Sequence, residues 1–399
     1  MTMLFCLLSM LFVSCASGVD PKNCALLEAP EISTLNPAER ITLSIPGPGE
    51  LTGSYAFDDP VSQDLHTVFQ ATYDRSIHEG MQVMVLSPRQ GLWEMAEGYT
   101  DEQRTKKISQ DTQLHYASIG KIFTAAIILK LCQDGILTLD DPVARWFPHK
   151  SIPSSMKIDH LLRHTSGLVS NELIPANAIN KGEIMSANAI IGTVFSEHPD
   201  LLFPPGTAYH YSNTGYILLG LIAERSSGKS MESLFYSIVT TPVGLNHTKY
   251  LSEKNANSYD FVSFDQAGTA YHNAEHPERP YGAGSLISTP REAALMLAAL
   301  LNGKILDAKH TALMITDMNR IAKGEHYQVY YGRGLSCIRI TREGYRSDYI
   351  GHKGFIPFML SSLFYCPQKN TVMTLTSNRY IETLDPLMFN LYEKIRNIE

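Results

Sequence analysis

The sequence lacks the charge pattern and the repetitive segments that mark several large protein classes. Its net charge is −7 and its pI is about 6.1, whereas nucleic-acid-binding proteins usually carry a basic face. It contains no long run of like charges, no low-complexity tract and no repeat of fixed period. We therefore expect a globular protein that has no nucleic-acid partner.

What is present is the composition of an ordinary folded domain. The 399 residues are 44% hydrophobic and 18% charged, and they include 27 Gly and 21 Pro. This is enough apolar material for one large core or for two apposed lobes.

The N-terminus differs from the rest of the chain. Residues 1–13 carry no charged side chain and are followed by small residues up to Gly18. An apolar run this short is typical of a signal peptide rather than of a membrane span, so we expect residues 1–18 to direct export to a periplasmic or secreted location. The sequence before Cys15 is also similar to a lipobox, which would make Cys15 a lipidated membrane tether. An uncleaved anchor or a misassigned start is the alternative.

Residues 19–55 are rich in Pro and Gly and show no sustained period, which predicts a linker to a folded domain at 56–399. Of the six cysteines, Cys24, Cys132, Cys337 and Cys366 lie beyond the expected leader. Cys337 and Cys366 lie in strand-like segments and could pair in an oxidising compartment. Buried free thiols are the interpretation that the sequence favours.

Hydrophobic periodicity predicts strands near both ends of the domain and helices between them. This order indicates an α/β (α+β) fold, in which one antiparallel sheet is built from both termini and an all-helical lobe is inserted at about 125–285. A ligand cleft is expected between the lobes. The predicted helices are 61–77, 118–131, 214–225, 291–301 and 384–396; the predicted strands are 82–86, 92–96, 329–341, 346–352, 356–365 and 370–377; residues 252–279 are predicted to form a long loop.

The first candidate motif is a serine followed three residues later by a lysine. Ser118 and Lys121 would lie on one face of a helix, about one turn apart. A serine hydroxyl needs a neighbouring base, and a lysine can be that base only where burial or nearby positive charge lowers its pKa. Such a pair also occurs by chance on capped surface helices. This helix, however, is apolar almost all round, which predicts a buried central helix.

Two further motifs follow along the chain. Tyr211 and Asn213 precede an apolar helix; a phenol beside an ammonium can relay a proton, and an amide can bind a substrate carbonyl. Gly351 and Gly354 flank His352 between strand-like segments. Glycines there would let a substrate backbone approach a strand edge closely, although a simple hairpin turn is the alternative.

Other chemical sites find less support in the sequence. His160 and His164 lie four residues apart, a spacing that suits a metal ion on a helix. Because no third ligand accompanies them, we expect no metal and assign structural hydrogen bonds to His164. Asp140 and Asp141 are typical of a turn rather than of a catalytic pair. A Gly-x-Ser-x-Gly motif is absent, which disfavours an α/β-hydrolase.

Taken in order, the three motifs resemble the active-site signature of the serine β-lactamase and penicillin-binding-protein superfamily. The closer resemblance is to the branch of class C β-lactamases, DD-peptidases and related esterases, which has Tyr-x-Asn in second place and Lys or His in third. It covers about residues 60–380 and includes four further segments typical of the family, at 135–142, 161–168, 205–216 and 282–289.

The resemblance implies a serine hydrolase that needs no cofactor. Ser118 would be the nucleophile, Lys121 its base and Tyr211 the proton relay. The backbone N–H groups of Ser118 and Phe355 would form the oxyanion hole. The implied substrate is a small molecule or peptide: a D-alanyl peptide, a β-lactam or an ester.

The resemblance also assigns substrate binding to Asn213, His352 and Gly354. His352 stands where most class C β-lactamases have lysine, and an imidazole is expected to be charged only about half of the time near pH 7. Lys353 stands where threonine is usual and should point away from the cleft. Both departures favour a DD-carboxypeptidase-like hydrolase or an esterase over a β-lactamase. A slow penicillin-binding or scaffold protein on the same fold is the alternative from another class.

Overall fold

The structure is a computed structural model. No helix of the part it describes is both long and apolar enough to cross a membrane. The predicted leader, the lipid site at Cys15 and the linker lie outside the described residues and stay predictions. The described residues are 59–75, 80–87, 91–171, 186–252, 262–265, 269–272, 281–342, 344–356 and 358–379, together with 387, 390, 391 and 394.

An eight-stranded antiparallel sheet forms the centre of the fold. Its strand order is β2-β1-β13-β12-β11-β10-β9-β8, so β1 lies between β2 and the last strand, β13, and pairs with both. The sheet therefore joins both ends of the domain, as predicted. The strands are β1 Gly80–Ser87, β2 Gly91–Gly98, β3 Leu114–His115, β4 Lys249–Tyr250, β5 Val262–Phe264, β6 Ala270–His272, β7 Leu286–Ser288, β8 Asn319–Lys323, β9 Tyr327–Tyr331, β10 Ser336–Arg342, β11 Tyr345–Ile356, β12 Met359–Cys366 and β13 Thr371–Ser377.

Helices cover both faces of this sheet. Strand side chains alternate between the faces: Phe364 belongs to the core cluster that contains α1, whereas Leu363 belongs to the larger cluster that contains α2 and α7. The helices are α1 Asp59–Arg75, α2 Gly120–Gln133, α3 Ile158–Leu162, α4 Ala187–Glu197, α5 Asn213–Ser227, α6 Met231–Phe235, α7 Pro290–Leu301 and α8 Ala308–Ile315.

Helix α2 is the central helix that the sequence predicted. Residues 120–129 of it are all buried, and Leu131 is buried as well. A helix that is apolar on every side can be stable only when it is surrounded by other elements. Here it packs against α5, α6 and α8, and this packing fixes the position of its first turn.

Several predicted elements are confirmed with their boundary signals. Helix α5 ends before Gly228, which has the left-handed φ of +69° that glycine favours. Helix α7 begins with Pro290, and its N-cap Thr289 accepts a hydrogen bond from Glu292 N. The predicted α/β (α+β) fold with an antiparallel sheet is thus confirmed.

Other predictions need correction. The segment 329–341 is two strands, β9 and β10, with Gly332 and a left-handed Gly334 between them. Strand β8 was missed, and short strands β4, β5 and β6 lie in the region expected to be all-helical or a loop. Of the predicted C-terminal helix, residues 387, 390, 391 and 394 are helical; its other residues lie outside the described ones.

The cysteines follow the interpretation that the sequence favoured. Cys132, Cys337 and Cys366 are free thiols. Cys337 belongs to the core on one face of the sheet and Cys366 to the core on the other, so a bond between them would have to pass through the sheet. Burial raises the pKa of the Cys366 thiol to about 11.

Candidate active site

A short turn places Ser118 at the beginning of α2. The 3₁₀ turn Ala117–Ile119 leads directly into the helix. Ala117 has a left-handed φ of +47°, an unusual conformation for a residue with a side chain. Its N–H donates to His115 Nδ1 at 2.9 Å. Ser118 is partly exposed, so this constrained turn presents a hydroxyl that a substrate can reach. We call residues 117–121 the nucleophile turn.

Lys121 lies beneath Ser118 and is completely buried. Its Nζ donates to Ser118 Oγ at 2.9 Å and to the carbonyl oxygen of Ala283 at 2.6 Å. Gly120 allows the segment of Ala283 to approach, because a Cβ at position 120 would lie 3.1 Å from Gly284 Cα. The serine–lysine contact is the one that the i, i+3 spacing indicated. The Ala283 carbonyl was not identified from the sequence, although its segment was among those typical of the family.

The ring of Tyr211 lies beside the Lys121 amine. The centre of its ring is 4.9 Å from Lys121 Nζ, and 7% of the residue is exposed. Ser212 caps α5 by accepting a hydrogen bond from Gly215 N, and the N–H of Asn213 donates to Ser170 Oγ at 3.1 Å. We call residues 211–213 the tyrosine segment. The structure therefore brings the aromatic ring of the second motif to the lysine of the first.

Strand β11 lies against the nucleophile turn at Gly354. A Cβ at position 354 would lie 2.2 Å from the carbonyl oxygen of Tyr116, so a larger residue would push the strand away. Ser361 Oγ on the adjacent strand donates to the same carbonyl at 2.8 Å. Phe355 follows Gly354 at this contact. The oxyanion-hole roles of the Ser118 and Phe355 N–H groups stay predictions.

The motif around His352 is not a hairpin turn. Residues 351–354 lie within β11 and pair continuously with β12. His352 is completely buried; Tyr331 OH lies 2.9 Å from its Nε2, and its Nδ1 contacts the Lys353 carbonyl. A carbonyl can only accept, so Nδ1 donates and Nε2 accepts from the Tyr331 hydroxyl.

His352 is neutral near pH 7. Burial, and after it the nearby charge of Lys121, lowers its pKa from an ordinary 6.5 to about 3. The expectation that it is charged about half of the time is therefore wrong. Lys353 is 5% exposed and follows His352 in the strand, so its side chain belongs to the opposite face.

The two histidines that suggested a metal site have other contacts. Lys157 N donates to His160 Nδ1 at 3.2 Å, and Ser212 N donates to His164 Nδ1 at 3.1 Å. His164 therefore makes the structural hydrogen bond that the sequence assigned to it. Within the described ranges, no three His, Cys, Asp or Glu side chains lie close enough together to hold a metal ion.

Comparison with known proteins places this geometry in a family. The sequence model of the family described as Beta-lactamase matches residues 66–388. The chain belongs to the Beta-lactamase family. This family is one of serine hydrolases, and the resemblance inferred from the three motifs is confirmed.

The curated relatives align with part of their length. Protein flp of Staphylococcus aureus (strain MRSA252) is 27% identical over 214 residues, which is 52% of this chain and 42% of that protein. Penicillin-binding protein 4* of Bacillus subtilis (strain 168) is 30% identical over 195 residues, 48% of this chain and 42% of that protein. The aligned part of this chain thus spans about two fifths of each relative.

Solved structures of the family align over nearly their whole length. The D-amino acid amidase of Ochrobactrum anthropi SV3, in complex with L-phenylalanine amide, has a TM-score of 0.73 at 25% identity, covering 85% of this chain and 99% of that one. The penicillin-binding protein of Bacillus halodurans has a TM-score of 0.69 at 20% identity, covering 82% and 99%. The second similarity concerns the fold alone.

Proposed function

We propose that the protein hydrolyses an amide or ester bond through an acyl-enzyme formed on Ser118. The observation that carries this proposal is the 2.9 Å hydrogen bond from Lys121 Nζ to Ser118 Oγ. A completely buried lysine is costly for a fold, because its charge must leave water. The Lys121 amine, in contact with the partly exposed Ser118 hydroxyl, is therefore arranged as a base beside its nucleophile.

The proposed reaction has two halves. In acylation, Ser118 Oγ attacks the substrate carbonyl while its proton passes to the pair formed by Lys121 and Tyr211. The backbone N–H groups of Ser118 and Phe355 stabilise the oxyanion, and the phenol of Tyr211 returns the proton to the leaving amine or alcohol. In deacylation, the same pair takes a proton from water while the water oxygen attacks the acyl carbonyl carbon. The bond from that carbon to Ser118 Oγ then breaks, the pair returns the proton to Oγ, and the acid leaves.

The proposed substrate is a small amide or ester whose acyl part is a D-amino acid. One structural neighbour is named as a D-amino acid amidase, which supports an amide bond next to a D-centre. A neutral His352 supplies no positive charge for a substrate carboxylate. This favours neutral amides and esters over β-lactams, with DD-carboxypeptidase activity as the second candidate.

The test compares wild-type protein with Ser118→Ala on D-alaninamide, L-alaninamide, p-nitrophenyl acetate, a D-alanyl-D-alanine peptide and nitrocefin. We expect hydrolysis of the D-amide and of the ester, and its loss in Ser118→Ala by a factor on the order of 10³ or more. Ser227→Ala, which changes a half-buried serine at the C-terminal end of α5, is the matched control and should retain the activity.

The same substrates separate the alternatives. Rapid nitrocefin hydrolysis would show a β-lactamase, and release of D-alanine from the peptide would show a DD-carboxypeptidase. Stable labelling of Ser118 by a fluorescent penicillin, without turnover of any substrate, would contradict the proposal and support a penicillin-binding or scaffold protein. Activity that survives Ser118→Ala would also contradict it.

A further inference from the structure

His164 lies at the centre of four tyrosine rings behind the tyrosine segment. It is 1% exposed. The centre of its ring is 4.2 Å from that of Tyr211, 4.7 Å from Tyr331, 5.1 Å from Tyr216 and 6.0 Å from Tyr209. The shortest of these distances is to Tyr211, whose ring also lies beside the Lys121 amine. His164 is thus packed directly behind the proposed proton relay.

His164 also holds the backbone next to Tyr211. The N–H of Ser212, which belongs to the peptide bond that follows Tyr211, donates to His164 Nδ1 at 3.1 Å. The His164 carbonyl accepts from His210 N at 2.9 Å. Tyr211 is therefore fixed by hydrogen bonds to the residue before it and the residue after it, and by a ring against its own ring.

The imidazole is neutral in this position. Burial, and after it the charge of Lys121, holds the pKa of His164 well below its usual range. Because Nδ1 accepts a hydrogen bond, the proton of the neutral ring lies on Nε2. The ring can therefore pack beside Tyr211 without adding a second positive charge next to Lys121.

Fold stability alone does not account for a histidine here. Its φ of +57° is in the left-handed region, which asparagine adopts more readily. Among the described residues, its Nε2 is buried without a hydrogen-bond partner, and an unsatisfied buried polar atom destabilises the fold. An asparagine would suit the backbone and could accept from Ser212 N. What it could not supply is the ring that packs on Tyr211.

We propose that His164 is a positioning residue that holds the ring of Tyr211 beside the Lys121 amine. It does so through its hydrogen bond to Ser212 and through its ring. The consequence for rate depends on the proposed hydrolase function; the consequence for the position of Tyr211 does not.

The test uses two variants of the full chain that remove these contacts stepwise. His164→Asn retains an acceptor for Ser212 N and removes the ring; His164→Ala removes both. A displacement of about 1 Å can cost on the order of 10²-fold in rate. With p-nitrophenyl acetate we expect kcat to fall about 10-fold in His164→Asn and about 100-fold in His164→Ala, with KM within about twofold of wild type.

His160→Asn is the matched control. His160 lies one helical turn earlier and also accepts a backbone N–H through Nδ1, but its ring lies against Gly206 instead of Tyr211. It should retain the wild-type kcat. A loss of kcat equal to that of His164→Asn would assign the effect to general destabilisation and overturn the proposal, as would wild-type kcat in both His164 variants.

Crystal structures of the variants decide the matter independently of activity. We expect the Tyr211 ring to be displaced or without density in His164→Ala, or in His164→Asn should the alanine variant fail to fold. A Tyr211 ring in its original place would overturn the proposal even for a protein that hydrolyses no ester. Absence of wild-type turnover together with a displaced Tyr211 would instead refute the proposed function and leave the positioning role standing.

Discussion

The nucleophile turn and the tyrosine segment meet at one amine, but they are held there in different ways. The nucleophile turn is built from neighbouring residues: Lys121 reaches Ser118 because both lie on one face of the same helical segment. The tyrosine segment depends on residues distant in the chain, since His164 and Ser170 hold its backbone. The position of the nucleophile turn is thus determined by local helix geometry, and that of the tyrosine segment by tertiary packing.

This difference indicates how the two halves should respond to mutation. A substitution in the nucleophile turn should remove a chemical group and leave the backbone around it in place. A substitution around the tyrosine segment can also move the backbone and side chain of Tyr211, because no single element determines where Tyr211 lies. The substitutions below separate the loss of a chemical group from the loss of its position.

Lys121→Met is expected to have the largest effect. It removes the base and retains a side chain of similar length, so kcat should fall on the order of 10³–10⁴-fold. Replacing a buried charged group with an apolar one is often neutral or stabilising, so the melting temperature should be equal to or above that of wild type. Steady-state kinetics and thermal unfolding measure the two quantities.

Lys130→Met on the same helix provides the control, because Lys130 is partly exposed and pairs with Asp134. It should retain the wild-type kcat. If Lys121→Met remained within tenfold of wild type, the amine would not be the base, and the serine would have to be activated by another group.

Tyr211→Phe should have a smaller effect. It leaves the ring against His164 and removes only the phenol oxygen, so kcat should fall on the order of 10²-fold while the melting temperature changes little. Tyr209→Phe, whose ring also lies near His164, is the control. Unchanged kcat in Tyr211→Phe would exclude the phenol as a proton relay.

A double variant sharpens this comparison. If His164 acts by positioning the phenol, adding His164→Ala to Tyr211→Phe should reduce kcat less than it does in wild type, because the group to be positioned is already gone. Additive losses would mean that His164 contributes to the reaction by another route.

The local half of the site could be predicted because its signals are close together in the sequence. A Ser and a Lys three residues apart in an apolar segment indicate both the helix and its burial. Gly228 after α5 and the N-cap Thr289 before α7 are equally local boundary signals.

The half of the site that depends on tertiary packing, namely the tyrosine segment and the residues around His352, could be predicted only through the resemblance to the family. Nothing near His352 in the sequence indicates that Tyr331 will donate to it or that burial will hold it neutral. Similarly, the sequence left a hairpin turn open as the alternative for the residues around Gly354, whereas β12 and Tyr116 keep them in a strand. The contact between Lys121 and the Ala283 carbonyl could not be predicted either, because every residue has a backbone carbonyl and its role as an acceptor does not depend on the residue type.

The smallest expected effect is the pH dependence that His352 adds to stability. Its pKa is about 3 in the folded protein, against an ordinary value of 6.5, so unfolding takes up a proton between these two pH values. Stability from this group is therefore complete above pH 6.5 and decreases as the pH falls towards 3. Within that window the slope is up to about 1.4 kcal/mol per pH unit.

His352→Gln isolates this contribution from that of His164, which burial also keeps neutral. The glutamine oxygen can accept from the Tyr331 hydroxyl, as Nε2 does, but it does not titrate. Urea unfolding at several pH values from 7 to 4.5 gives the free energy of unfolding, which should fall less steeply with decreasing pH in the variant. The difference between the two slopes should correspond to the uptake of about one proton on unfolding. His326→Gln, which changes an exposed imidazole, is the control. If the free energy of unfolding depended on pH equally in wild type and His352→Gln, His352 would take up its proton in the folded protein too. The region around His352 would then be more open to water than its packing indicates.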